Sequence, residues 1–117
     1  MGDSTTIQNK TEPWTARSGR CSGVSDLAGD LRLEIDHRPV GVLHVEYGAV
    51  SIQSGDDATA LISFESERTL LGVLAGDVHP VVASLQGRLR ADGDIALALR
   101  ILLGLRSGSP WSDLVRN

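Results

Sequence analysis

The chain has 117 residues, a formal net charge of −4 at pH 7 and a single cysteine, Cys21. This length fits one domain, the acidic balance argues against a nucleic-acid-binding surface, and one cysteine cannot form a disulfide within the chain. With no signal-peptide pattern and no apolar run long enough to cross a bilayer, the sequence predicts a soluble cytoplasmic protein.

The first part of the chain, residues 1–28, is polar. It shows neither the two-residue period of a strand nor the 3.6-residue period of a helix, so it is predicted to be largely irregular. Trp14 follows a proline here, as Trp111 does near the other end of the chain. Both rings are expected to dock the chain ends on the body of the domain.

Four strands are predicted next, close together in the chain. Leu31, Leu33 and Ile35 alternate with charged residues, and alternation continues over residues 41–47, 49–54 and 58–64. Such alternation is typical of half-buried strands. The short connections favour an antiparallel meander with one face covered.

The pattern then changes to helical spacing. Ser66 is suited to cap a first helix, and Gly76 is suited to end it. Pro80 is suited to open a second, very short helix that ends near Leu85. A strand follows over 88–92, and Asp94 caps a last helix over 95–105. This order predicts an α+β fold in which helices cover one face of a mostly antiparallel sheet.

The last helix is apolar on nearly every side. Between Ile95 and Leu105, only Arg100 and Gly104 are not apolar. One face is expected to pack on the sheet, while the other lines a cavity or meets a partner. Each buried Leu or Ile is worth about 1.5–3 kcal/mol relative to exposure, so several of them in water would be costly.

The stretch "LLGVLAGDVHPVVASLQGRLRADGDIALALRILLGL" resembles the sterol carrier protein family of intracellular lipid-transfer domains. The resemblance is carried by Gly76-Asp77 with Pro80, then Gly87-Arg88-Leu89, and then Gly93-Asp94 before an apolar helix. Upstream, "EYGAVSIQSGDDATALISF" is similar to the family's strand, glycine turn and strand. The resemblance covers about residues 29–105. Residues 1–28 and 106–117 are left as polar segments outside the lipid-binding domain that it implies.

The resemblance implies a five-stranded sheet covered on one face by helices, with an apolar tunnel between the two layers. The tunnel would take a fatty acyl chain, a fatty acyl-CoA or a sterol-like ligand, without chemistry and without a cofactor. Strand alternation and helix spacing give the expected lining residues: Ile52, Ile62, Phe64, Leu70, Leu71, Leu74, Leu89, Ile95, Leu99 and Leu102. Arg88 and Arg90 are the candidates for contact with a head group.

Two alternatives stay open. The apolar helix could meet its own copy, which would make the protein a homodimeric accessory module. Alternatively, a small enzyme could use His44 or Glu46, two residues apart on one strand face, as acid or base. No nucleophile elbow, phosphate loop or metal-ligand spacing supports catalysis, so no catalytic or metal-binding residue is predicted.

Overall fold

The computed structural model describes residues 14–55 and 57–113. The described residues form six strands and three α-helices, preceded and interrupted by short 3-10 turns at Trp14–Ala16 and Ser22–Val24. The strands are β1 (Ser18–Arg20), β2 (Ala28–Ile35), β3 (Arg38–Glu46), β4 (Ala49–Gln53), β5 (Ala60–Phe64) and β6 (Leu89–Gly93). The helices are α1 (Glu67–Leu74), α2 (Pro80–Leu85) and α3 (Ile95–Gly104).

The strands form one sheet in the order β1-β4-β3-β2-β5-β6. Every neighbouring pair is antiparallel except β2 and β5, which are parallel. The parallel pair arises because the chain leaves β4, crosses two strands and returns beside β2. The predicted α+β class and mostly antiparallel sheet are confirmed, with six strands rather than five.

The additional strand is β1, which lies within the segment predicted to be irregular. Its three residues, Ser18–Arg20, pair with β4 and are too few to show alternation in the sequence. Residues 14–28 therefore contain more structure than predicted, and residues 1–13 lie outside the described part of the chain. Cys21, Val24 and Leu27, spaced three apart, are all buried in the hydrophobic core.

Tight two-residue turns join the strands of the meander. Asp36 and His37 connect β2 to β3 with φ values of 53° and 66°, and Tyr47 and Gly48 connect β3 to β4 with 47° and 98°. Positive φ at both central residues is the geometry of a type I′ hairpin turn. The strand predicted to reach Tyr47 therefore ends at Glu46, and the Tyr47 side chain is 61% exposed.

The predicted helix caps are confirmed. The Ser66 hydroxyl accepts a hydrogen bond from Thr69 N at 3.2 Å, and Asp94 Oδ1 accepts one from Leu97 N at 3.1 Å. After α1, Gly76 adopts a φ of 83°, which suits glycine far better than any residue with a Cβ. The two caps set where α1 and α3 begin, and hence which of their faces meet the sheet.

The core lies between the sheet and the helices. In β2, β3 and β5 every second residue faces inward, so Leu31, Leu43 and Ile62 are fully buried on one face. Trp111, in the polar C-terminal segment, is also fully buried, and its Nε1 donates to Trp14 O at 2.8 Å. The expected docking of Trp111 is confirmed. The hydrophobic core also includes residues before residue 29 and after residue 105, the predicted ends of the domain.

Candidate functional site

Most of the predicted tunnel-lining side chains lie within the packed core. Buried positions in one hydrophobic cluster are occupied by Ile62, Phe64, Leu70, Leu74, Leu89 and Leu102. Ile52 and Leu71 are half-buried and pack against that cluster. These residues hold the helical layer to the sheet, as the alternation pattern indicates.

The two remaining predicted lining residues, Ile95 and Leu99, meet the edge of that core at a groove beside strand β6. The groove has a volume of about 430 Å³, opens to solvent and lies between the end of α2, strand β6 and the first half of α3. Leu89, Ile95 and Leu99 line it together with Arg90, one of the two head-group candidates. The other lining residues are Ser84, Gly87 and Ala91.

The geometry of α3 explains why these side chains face the groove. Ile95 and Leu99 are four residues apart, so they lie one above the other on the same flank of the helix. A neighbouring stripe, Ala98 with Ile101 and Leu102, is fully buried against the core. The helix thus uses one stripe to pack and the next to line the groove, which accounts for its apolar character on both sides.

Further apolar side chains are exposed on the two helices that border this groove, α2 and α3. Leu85, directly after the groove residue Ser84, is 83% exposed, and Ile95 is 47% exposed. The other exposed large apolar residues of α2 and α3 are Val81, Val82 and Leu103. Exposed apolar side chains beside a groove are typical of a site for a ligand, a membrane surface or another protein.

The two arginines differ in their surroundings. Arg88 Nε donates to Glu65 Oε1 at 3.1 Å, so its charge is already paired. Arg90 is exposed on β6 and has no ion-pair partner within the part of the chain that the structure describes. Both also line a smaller pocket of about 200 Å³ with His37 and Glu65. Arg90, which borders both pockets, is therefore the better placed cation for an anionic head group.

His44 lies far from the groove, on the outer face of the sheet. Its Nδ1 is 2.5 Å from Asp30 Oδ1, and its Nε2 is 3.7 Å from Glu46 Oε1. The hydrogen bond that the His44 ring donates to the Asp30 carboxylate raises the pKa of His44 above the ordinary 6.5, against a weaker opposing effect of burial. Strands β2 and β5 separate β3 from β6, so this cluster does not belong to the groove.

The described residues offer neither a metal centre nor a membrane span. Within residues 14–55 and 57–113, no group of three or more His, Cys, Asp and Glu side chains is arranged to hold a metal ion. Over the same part of the chain, no helix has both the length and the apolar character needed to cross a bilayer.

Comparison with known proteins finds similarity at the level of structure. No protein-family model matches the sequence, and no curated protein matches it. The structure is similar to the ubiquinone synthesis protein UbiJ-SCP2, with a TM-score of 0.55 and 16% identity, covering 89% of this chain and 88% of that one. It is also similar to the sterol carrier protein domain 2 of Helicoverpa armigera, with a TM-score of 0.50, 15% identity and coverage of 96% and 84%.

A third similar structure belongs to a much longer protein. The stereoselective inverting sec-alkylsulfatase Pisa1 from Pseudomonas sp. matches with a TM-score of 0.59 and 18% identity over 78% of this chain. The match covers only 15% of the alkylsulfatase chain.

The similarity to UbiJ-SCP2 and to the Helicoverpa armigera domain shows that the chain has the sterol carrier protein fold. The resemblance seen in its sequence is confirmed at the level of the fold.

Proposed function

We propose that this protein binds an apolar ligand such as a fatty acyl chain, a fatty acyl-CoA or a sterol-like molecule, and carries it without chemical change. The single observation that supports this function best is the groove between α2, β6 and α3. Its volume of about 430 Å³ falls within the roughly 300–1,000 Å³ of small-molecule sites, and its walls are mainly apolar. Flexible aliphatic walls suit a ligand that needs no directional contacts.

The driving force would be the removal of exposed apolar surface from water. Ile95 is 47% exposed, and an apolar chain lying along Leu89 and Leu99 would cover it. Burial contributes about 25 cal/mol for each Å² of apolar surface. A ligand covering the groove therefore gains free energy from the protein surface as well as from its own tail.

Arg90 would give the site its preference among apolar ligands. Arg90 lines the groove, and within the described residues its charge has no ion-pair partner. A carboxylate or phosphate placed there accepts charge-assisted hydrogen bonds, which are stronger than neutral ones. The proposed ligand thus has an anionic head near Arg90 and an apolar tail toward Ile95.

The extended tunnel is a further part of the proposal. Most of the other predicted lining residues belong to the packed core, so a longer ligand would have to part the helices from the sheet. The open groove is the natural entry point for such a ligand. A cytoplasmic location likewise stays a proposal.

Native mass spectrometry of freshly purified protein tests the proposal directly. Bound acyl or sterol species are expected as defined added masses that disappear on delipidation. Binding is then measured by titrating delipidated protein with a fluorescent fatty acid and displacing it with oleate. A protein that carries no added mass and does not bind the fluorescent fatty acid would contradict the proposal.

Two substitutions on α3 form a matched pair. Ile95→Glu places a charge in the groove, and affinity for oleate is expected to fall at least about tenfold, the equivalent of about 1.4 kcal/mol. Ala96→Glu introduces the same charge at an exposed position of α3 that does not line the groove. Affinity is expected to be little changed, and equal losses in both variants would argue against the groove.

The head-group role needs a comparison of two ligands. Arg90→Gln is expected to weaken oleate binding several-fold while leaving the affinity for oleyl alcohol, which has no charge, nearly unchanged. Arg88→Gln serves as the control, because Arg88 is already paired with Glu65. An equal effect of Arg90→Gln on both ligands would exclude a head-group contact.

The alternative of a dimerisation or accessory module is also tied to α3. The exposed apolar residues of this helix, Ile95 and Leu103, could meet a second copy instead of a lipid. Light scattering before and after delipidation separates the two functions. A dimer indifferent to lipid favours the accessory module, and a monomer that loses stability on delipidation favours the carrier.

The small-enzyme alternative has the weakest support. It requires His44 or Glu46 to act on a bound apolar substrate, yet the His44 cluster lies on the outer sheet face, three strands from β6. It predicts that His44→Ala abolishes turnover while ligand binding persists. Unchanged lipid on mass spectrometry after long incubation would exclude it.

A further inference from the structure

Within residues 14–55 and 57–113, strand β6 is an edge of the sheet, and β5 is its one partner. Asp94 N donates to Thr59 O at 2.9 Å, and Glu65 N donates to Arg88 O at 3.0 Å. Hydrogen-bonded pairs alternate in an antiparallel ladder, so the even-numbered residues of this segment direct their backbone groups toward β5. The backbone groups of Leu89, Ala91 and Gly93 therefore point outward from the sheet.

The side chains along this edge carry charges in a self-complementary order. Arg88 and Arg90 precede Ala91, and Asp92 and Asp94 follow it. Arg90 and Asp92 are exposed, and neither has an ion-pair partner within the described part of the chain. A two-fold axis through Ala91 would place a second β6 antiparallel to the first. The arginines of each strand would then lie opposite the aspartates of the other.

We propose that two copies of this chain pair through β6, antiparallel and centred on Ala91, so that the two sheets join into one. Ala91 would exchange two backbone hydrogen bonds with Ala91 of the other copy, and Leu89 would pair with Gly93. Arg90 would stand opposite Asp92 at a non-hydrogen-bonded position, where side chains approach most closely. Such an interface is isologous, so each contact occurs twice.

The charge pattern selects this register over its neighbours. Only registers that pair odd-numbered residues satisfy the outward backbone groups. Centring the axis on Arg90 places two arginines opposite each other, and centring it on Asp92 places two aspartates together. Centring it on Leu89 places Arg90 opposite Arg88. Centring it on Gly93 places Asp92 opposite Asp94. Centring on Ala91 alone leaves no like charges opposite each other, since Arg88 then faces Asp94.

The opposite edge of the sheet does not offer the same surface. Strand β1 has only three residues, and a Cβ placed on Gly19 would lie 3.0 Å from Pro110, so the C-terminal segment packs closely on it. By contrast, β6 borders the open groove, whose flanks include the exposed Ile95. Charged residues on a free edge usually prevent pairing. Here their order permits one self-pairing and opposes the others.

Pairing through β6 would also change the groove. Leu89, Arg90 and Ala91 line the groove and form the paired edge, so the second copy would stand at its open side. The groove would then be enclosed by two chains, and the ligand would be shared between dimer halves or released on dissociation. This consequence rests on the proposed function, whereas the pairing itself does not.

The oligomeric state of delipidated protein tests the pairing. Light scattering and sedimentation velocity, from low micromolar to millimolar concentration, are expected to show a monomer–dimer equilibrium that weakens with salt. Arg90→Asp and Asp92→Arg each turn two attractive pairs into repulsive ones, so each should weaken dimerisation about tenfold or more. The double variant R90D/D92R restores opposite charges and is expected to restore the dimer.

A backbone variant gives an independent check. Ala91→Pro removes an N–H that points outward, so the dimer should be lost while pairing with β5 and the circular dichroism spectrum are retained. Ala91→Ser, which keeps that N–H, is the control. A protein that stays monomeric at every concentration would overturn the proposal. So would a dimer that is insensitive to the charge reversals and to Ala91→Pro.

The two proposals can fail separately. A β6 dimer that never carries or binds an apolar ligand contradicts the proposed function and leaves the pairing intact. A strictly monomeric protein that binds oleate does the reverse. A dimer lost in Leu103→Glu but unaffected by R90D would place the interface on α3 and overturn pairing through β6.

Discussion

Single residues fix the approach of the N-terminal segment to α3. A Cβ on Gly23 would lie 1.9 Å from Gly104 O, and a Cβ on Gly104 would lie 2.4 Å from Gly23 O. The Cys21 thiol also donates to Gly104 O at 3.3 Å. The two backbones are therefore in direct contact, and each glycine makes room for the other.

Adding one methyl group at this contact is expected to be destabilising. Helix propensity favours alanine over glycine, yet Gly104→Ala should lower the free energy of unfolding by about 1–3 kcal/mol, because the backbones must separate. Urea denaturation monitored by circular dichroism measures the change. A more stable Gly104→Ala variant would show that propensity outweighs the contact.

His44 makes stability depend on pH. Its pKa is raised in the folded protein by Asp30, so the folded state holds the proton more tightly than the unfolded state. The stabilisation is complete below the unfolded pKa of about 6.5 and is lost as the pH rises through the folded pKa. Wild type should therefore exceed His44→Gln in stability at about pH 5.5 by more than at about pH 8.

The His44 effect is measured from urea midpoints at both pH values, with the pKa followed by NMR. Asp30→Asn should return the His44 pKa toward its ordinary value and abolish the pH-dependent difference. Glu46→Gln should have a smaller effect, since Glu46 lies 3.7 Å from the ring. A pH-independent difference between wild type and His44→Gln would contradict this explanation.

At the scale of elements, the turn between β3 and β4 places a bulky residue in a backbone conformation that is unfavourable for it. Tyr47 adopts a φ of 47° beside Gly48, and its side chain is 61% exposed. A bulky residue at positive φ costs about 1–2 kcal/mol, whereas Asn-Gly is the preferred pair for a type I′ turn. Tyr47→Asn is thus expected to stabilise the protein by about 0.5–1 kcal/mol, the remainder being lost with the contacts of the ring.

Thermal unfolding measures the Tyr47→Asn gain. Tyr47→Val is the control, because a β-branched residue tolerates positive φ poorly and should be destabilising. If Asn and Val have the same effect at this position, the backbone conformation does not determine it.

Elements with enough residues to show a period could be predicted from the sequence. Strands β2 to β5 and helices α1 and α3 fall close to their predicted ranges, and Ser66 and Asp94 cap the helices as expected. Strand β1 could not be predicted, because three residues show no period and their pairing with β4 is non-local. Local pattern gives type and position, but it does not give partners distant in the chain.

The same distinction applies to the candidate site. Spacing predicted one lining stripe of Ile95, Leu99 and Leu102 on α3, but Leu102 is fully buried while Ile95 is 47% exposed. The turn at Ser22–Val24 packs against the end of α3, where Val24 contacts Gly104, and this determines which side of the helix is covered. Nothing in the local sequence of α3 encodes that contact. The apolar stripes of α3 could therefore be identified from the sequence, but which stripe packs in the core and which lines the groove could not.

At the scale of the whole molecule, the two ends of the described chain are joined. Trp111 Nε1 donates to Trp14 O, and Arg17 forms an ion pair with Asp113. The Arg17 guanidinium also donates to Pro110 O at 3.3 Å. Segments 14–27 and 106–113 thus close the hydrophobic core jointly, and neither can leave without exposing the other.

Trp111 is the main anchor of this closure, because it is fully buried whereas Trp14 is half-buried. Trp111→Ala should lower the free energy of unfolding by about 3–5 kcal/mol, as expected for emptying a large buried site. Trp111→Phe keeps most of the volume but leaves Trp14 O without its donor, so a loss of about 1–3 kcal/mol is expected. Trp14→Phe is the matched control: it removes the exposed hydrogen bond to Glu67 and part of a half-buried ring, and it should cost about 1 kcal/mol or less. The same variant leaves Trp111 as the only tryptophan, so its fluorescence reports on one buried indole. The emission maximum should shift to longer wavelength in the same urea transition in which the circular dichroism signal is lost. If the emission shifts at a lower urea concentration than the sheet unfolds, the C-terminal segment detaches on its own and the two ends do not close the core jointly.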